Sequence, residues 1–77
     1  MKKQTINHAV HEAIDEYLRL MGDEPVTDLY DLVLAEVEAP LLKAVMHHTG
    51  NNQSRTAEML GLNRGTLRKK LRRYRLL

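Results

Sequence analysis

A chain of 77 residues without a cysteine holds one small domain that no disulfide and no thiolate zinc site can reinforce. A chain so short buries only about 60% of its unfolded surface, so efficient helix packing or self-association has to supplement its core. The formal charge of +2 is an average of opposites: residues 1–49 carry four Lys/Arg against nine Asp/Glu, a net of −5, and residues 50–77 carry eight against one, a net of +7. An acidic body with a basic end predicts a polyanion partner for that end. No apolar run approaches the roughly 18 residues of a membrane span, and the N-terminus lacks the apolar region of a signal peptide, so the expected location is the cytoplasm.

Four helices and no strand are legible. The first covers about Ile6 to Met21, where Ile6, Val10, Ile14, Tyr17, Leu18 and Met21 recur at helical spacing. "GDEP" ends it, with Gly22 suited to a C-cap and Pro25 unable to continue a helix. Thr27 is the expected N-cap of the second helix, with Asp28 in the first turn favouring the helix dipole.

The second helix runs through "DLYDLVLAEVEAPLLKAVMHHT", and its apolar residues occupy nearly every face: Leu29, Leu32, Val33, Leu34, Val37, Leu41, Leu42, Val45 and Met46. A helix apolar all round must be buried all round, which one short chain cannot readily do. A homodimer with crossing central helices is therefore expected, with Leu29, Val33, Val37, Pro40 and Leu41 in the dimer interface or core. Pro40 removes the bond to the Glu36 carbonyl and crowds the preceding turn, at a cost of about 3 kcal/mol in an ordinary helix interior. Either the helix ends at Ala39 or it continues with a kink. The apolar rhythm on both sides favours the kink.

Gly50 and Asn51 stop the helix and Asn52 caps a short third one, about Gln53 to Leu60. Gly61 closes that helix in a left-handed conformation, Leu62 reads as a buried turn residue, and Asn63 caps the last helix, about Arg64 to Tyr74. Two short helices joined by so tight a turn make a helix-turn-helix. Ala57 is small where the second helix crosses the first; Leu60, Leu62, Leu67 and Leu71, with Met59 and Tyr74, are the expected core. The reading is an all-α chain in one domain, with residues 6–49 for dimerisation and 52–75 as the helix-turn-helix.

The tail "NRGTLRKKLRRYRLL" then has a purpose. Seven of its last fourteen residues are cationic and none is acidic, while Leu67, Leu71 and Tyr74 keep an apolar seam. In such motifs the start of the second helix meets base edges in the major groove, here with Asn63, Arg64 and Thr66. Arginine matches guanine and asparagine matches adenine through paired hydrogen bonds. The remaining cations, and the cap region of the preceding helix at Asn52, Ser54 and Arg55, suit phosphates.

The competing readings are weaker. A solvated basic helix, or one in a helical dimer that docks anionic lipid, an acidic protein or RNA, does not call for a helix-turn-helix around it. His8 and His11, and the adjacent His47 and His48, raise a metal site, but neighbours do not share a helix face and no cysteine assists. No nucleophile has an acid–base partner placed by a motif, so neither enzyme nor cofactor is expected.

From "DLYDLVLAEVEAPLL" through "GNNQSRTAEMLGLNRGTLRKKLRRY" the sequence closely resembles the Fis family, the factors for inversion stimulation, which are bacterial nucleoid-associated proteins. The close match covers residues 27–74, and the first helix is similar more loosely. The helix-turn-helix also looks like the DNA-binding domain of activators that work with the alternative sigma factor, but no ATPase domain accompanies it here. The resemblance implies an intertwined homodimer of four-helix subunits that binds and bends degenerate, A/T-centred double-stranded DNA and regulates transcription, with RNA polymerase as a further partner and no membrane. Family recognition helices lie closer together than the ~34 Å between successive major grooves, so the duplex bends and its deformability contributes to specificity. Asn63, Arg64 and Lys69 match the family's base-contacting positions; Asn52, Ser54, Arg55, Thr66, Arg68, Arg72 and Arg73 match positions at or near the backbone. Two departures qualify the expectation. The family's mobile N-terminal arm, which touches DNA invertases, has no counterpart before the first helix, so the expectation stops short of inversion. Gly50 stands where the family can carry a basic residue, which weakens the expected contacts to flanking DNA.

Overall fold

The computed structural model describes residues 5–77, and these form four helices: α1 (Ile6–Met21), α2 (Leu29–His48), α3 (Gln53–Leu60) and α4 (Arg64–Arg73). There is no strand among the described residues, as the all-α reading requires. Packing divides the chain into two compact units that meet within α2, one ending at Val33 and the other spanning Leu34–Leu77.

In the first unit, Thr5 begins α1: its backbone is extended and its Oγ1 accepts the His8 N–H at 3.0 Å. At the other end the Gly22 N–H donates to the Leu18 carbonyl at 3.3 Å, the expected glycine closure. His8–Glu12 and His11–Asp15 pair at 3.0 and 3.1 Å along one exposed face, and Glu16 pairs with Arg19. Exposed pairs of this kind add little stability. Val10, Ile14, Tyr17 and Met21 are half-buried, Ile6 and Leu18 are exposed, and no residue of α1 is fully buried.

The start of α2 differs from expectation by one residue. Asp28, not Thr27, occupies the capping position: its carbonyl accepts the first helical bond, from the Leu32 N–H at 3.1 Å. Its φ of 56° lies in the left-handed region, which excludes it from the helix and which Asp tolerates better than most residues. Asp31 is the acid in the first turn instead. The helix then runs without a break through Pro40 to His48, so the reading with two separate helices falls.

The core lies in the second unit. Leu42 and Met46, one turn apart on α2, are buried with Ala57 of α3 and Leu67 and Leu71 of α4, and Leu60, Tyr74 and Leu76 pack against them. Fully burying one such leucine is worth about 1.5–3 kcal/mol. Two members of the expected core are misplaced. Met59 is 52% exposed, on the outer side of α3, and Leu62 is only half-buried and belongs to the turn. An eight-residue helix turns only one side to its neighbours, and Ala57 and the fully buried Thr56 occupy it.

Each helix of this unit closes in the same way. The Asn51 N–H donates to Met46 and the Gly50 N–H to His47; Leu62 donates to Ala57 and Gly61 to Glu58; Leu76 donates to Leu71 and Arg75 to Arg72, all at 2.8–3.2 Å. This is the Schellman closure, which places the residue after the helix at positive φ. Gly50 (φ 66°) and Gly61 (φ 71°) meet that requirement without a Cβ penalty, and Arg75 (φ 57°) meets it at the end of α4. Gly50 thus serves the backbone at the end of α2.

Candidate nucleic-acid interface

Asn52 and Asn63 cap α3 and α4 through their side-chain oxygens. Asn52 Oδ1 accepts the Arg55 N–H at 3.0 Å, and Asn63 Oδ1 accepts the Gly65 N–H at 2.7 Å. Neither helix carries an acid in its first turn, so nothing opposes the partial positive charge of the two N-termini. A Cβ on Gly65 would stand 3.1 Å from the Asn63 Oδ1, closer than the capping oxygen comfortably allows. Gly65 therefore leaves the cap undisturbed.

With side chains advancing about 100° per residue along a helix, Leu67 and Leu71 point to the core and Gly65, Lys69, Arg72 and Arg73 point away from it. The exposure agrees: Asn63, Arg64, Thr66, Lys69, Arg72 and Arg73 on α4 and its cap are all exposed, as are Asn52, Ser54 and Arg55 at the start of α3. α3 and α4 pack on each other, so the expected site residues are gathered on one unit.

Two cations of the tail are differently employed. Arg68 is half-buried, and its Nη1 donates to Gln53 Oε1 at 2.8 Å, joining α4 to the first turn of α3. Lys70 is also half-buried: its Nζ lies 2.6 Å from Glu38 Oε2, and Tyr74 donates its hydroxyl to Glu38 Oε1 at 2.5 Å. The hydrogen bond from Lys70, and then that from Tyr74, hold the Glu38 carboxyl below its ordinary pKa, while the bond to Glu38 pushes the Tyr74 phenol up. Tyr74 was read from the sequence as a core residue, and its ring does pack there, but its hydroxyl has this second task. Glu38 sits 32 residues from Lys70, and no local pattern in the sequence links them.

A third polar feature is buried without any local signal in the sequence. Thr56 is fully buried with its hydroxyl 2.7 Å from that of Thr49, and Thr49 Oγ1 is also within reach of the Met46 and Asn52 carbonyls. The pair fastens the first turn of α3 to the end of α2. No buried side-chain polar atom among the described residues lacks a partner.

No group of three or more potential ligands that could hold a metal occurs among the described residues. No helix there is long and apolar enough to cross a membrane.

A sequence model described as "Bacterial regulatory protein, Fis family" matches residues 33–74. The chain is 54% identical over 74 residues to a Fis-like DNA-binding protein of Pseudomonas aeruginosa, covering 96% of this chain and 71% of that one. It is 50% identical over 72 residues to the DNA-binding protein Fis of Aeromonas hydrophila and to that of Proteus mirabilis, covering 94% of this chain and 74% of each relative. The similarity takes in α1 and α2 as well as the helix-turn-helix, and with those capped helices and that turn, the chain belongs to the Fis family of bacterial regulatory proteins.

Proposed function

We propose that this chain is a homodimeric, nucleoid-associated regulator that binds and bends double-stranded DNA. The observation that carries the reading is the outward face of α4. Lys69, Arg72 and Arg73 are exposed along it, Asn63, Arg64 and Thr66 are exposed at its N-terminal end, and no acid lies on α4. Asn63, Arg64 and Lys69 read bases. Thr66, Arg68, Arg72 and Arg73, with Asn52, Ser54 and Arg55 at the start of α3, hold phosphates. Arg68 keeps donors for a phosphate beyond the one it gives to Gln53.

Residues 6–49 form the dimer and 52–75 the DNA-binding part. Apolar side chains left uncovered on α2 support the dimer: Val37 is 38% and Leu41 47% exposed, and Pro40 is exposed beside them. Leu29 and Val33, half-buried at the start of the same helix, continue the interface. The protein acts in the cytoplasm, on the nucleoid. Contact with RNA polymerase is an expectation that the family supplies and no residue of this chain carries. Similarity along α1 and α2 favours a free-standing Fis-type protein over the detached DNA-binding domain of a sigma-dependent activator.

Circular-permutation gel shifts at moderate salt test the reading. Shifted complexes whose mobility depends on the position of the site, and which duplex displaces better than single-stranded RNA, are expected. Equal displacement by RNA, or mobility independent of position, refutes it.

A further inference from the structure

We infer that Glu38 is a positioning residue for the DNA-reading helix: it fixes the rotation of α4 and withholds Lys70 from the phosphates. Its two carboxylate oxygens are both engaged, Oε2 by the Lys70 ammonium at 2.6 Å and Oε1 by the Tyr74 hydroxyl at 2.5 Å. Lys70 and Tyr74 are four apart, one turn along the same side of α4 and its C-cap. Two attachments one turn apart on a rigid rod fix its rotation about its axis, which a single attachment does not.

The apolar cluster that α2 and α4 share does not do this: Leu42, Met46, Leu67 and Leu71 are buried together in it, and apolar burial is non-directional. A small roll of α4 about those leucines sweeps Lys69, on its far side, and Arg64, exposed in its first turn, across the base edges. Charge-assisted hydrogen bonds are short and directional, and Glu38 supplies a pair of them where the side chains are only about a quarter exposed. Lys70 is thereby neutralised beside a run of five other cations from Arg68 to Arg75, which keeps one charge out of the sequence-independent attraction.

The inference rests on the proposed function, and its test separates the two. Binding of the unsubstituted chain, Glu38→Ala, Tyr74→Phe, Lys70→Met and the Glu38→Ala/Tyr74→Phe double variant is measured on a selected duplex and on a random duplex across a salt series. Amide exchange on each confirms that it is folded. Glu38→Ala should lower the ratio of selected to random affinity by at least about fivefold, the lower end of what one base contact supplies. Tyr74→Phe should lower it less and add little in the double variant, since both remove the same bond. Lys70→Met should leave the salt slope unchanged, whereas a phosphate-binding lysine would lower it by about 0.9. A Glu38→Ala variant that loses stability but keeps the full ratio overturns the positioning role, as does a Lys70→Met slope that falls. If the unsubstituted chain ignores duplex altogether, the functional reading fails first and takes this inference with it.

Discussion

The Thr49–Thr56 pair gives a stability prediction whose size differs between its two partners. Thr56 is fully buried, and among the described residues its hydroxyl is partnered by the Thr49 hydroxyl alone, at 2.7 Å. Thr49 has two further acceptors for its own proton, the carbonyls of Met46 at 3.2 Å and Asn52 at 3.3 Å. The assignment that satisfies every group has Thr56 donating to Thr49 Oγ1 and Thr49 donating to a carbonyl. Thr56→Val then removes one bond at nearly constant shape and leaves Thr49 still donating, a cost of about 0.5–1.5 kcal/mol. Thr49→Val strands the Thr56 hydroxyl in the core, and leaving a buried polar group unpaired costs about 1–3 kcal/mol. In a domain of this size about 1 kcal/mol corresponds to about 4–8 °C in Tm, so the difference is measurable. Adding Thr56→Val to Thr49→Val removes the stranded hydroxyl, and the double variant should be more stable than Thr49→Val alone. The assay is urea denaturation at one fixed protomer concentration, because the stability of a dimer depends on that concentration. Additive single effects, or a Thr49→Val no worse than Thr56→Val, refute the assigned directions.

Four further outcomes test the site and the assembly. Arg64→Ala should relax sequence preference at a cost of about 1–3 kcal/mol on the selected duplex, and equal losses on selected and random DNA would remove it from base reading. Arg72→Ala should weaken both alike and lower the log–log salt slope by about 0.9, and an unchanged slope strikes it from the phosphate contacts. Val37→Asp places a carboxylate that is tolerable on the exposed flank of one chain but costly inside a dimer seam, so sedimentation should show a folded, dissociated subunit; an intact dimer refutes that interface. For pH, Glu38 has a lowered pKa, so its stabilisation is present above the ordinary carboxylate range and is lost as pH falls through the depressed folded value. Tyr74 has a raised pKa, so its share is present below the ordinary phenol value and is lost as pH rises through the folded one. Glu38→Gln should therefore flatten the acid limb of the stability profile, and an unaltered limb counts against the clamp.

Local chemistry determines most of the organisation along the chain. The bounds of α1 and α3 follow from caps and glycines, because Asn52, Gly22 and Gly61 act on backbone groups within four residues of themselves. The start of α4, the three-residue turn before it and the exposure of Asn63, Arg64, Lys69 and Arg72 likewise follow from short-range spacing. Asp28 departs from this because two adjacent residues, Thr27 and Asp28, are both good caps, and only the backbone conformation chooses between them.

What the tertiary structure alone decided involves partners far apart in the chain. Met59 and Leu67 look equally suited to a core, yet one is 52% exposed and the other is fully buried, since only the facing of α3 and α4 selects which sides meet. Thr56, a polar residue in a short helix, is buried because Thr49 stands ready to pair with it. Among the many cations of the tail, Lys70 is neutralised because an acid 32 residues earlier on α2 lies within reach of it. Periodicity and capping read out along the chain; burial, and the pairing of charges across helices, depend on how separate surfaces come together in space.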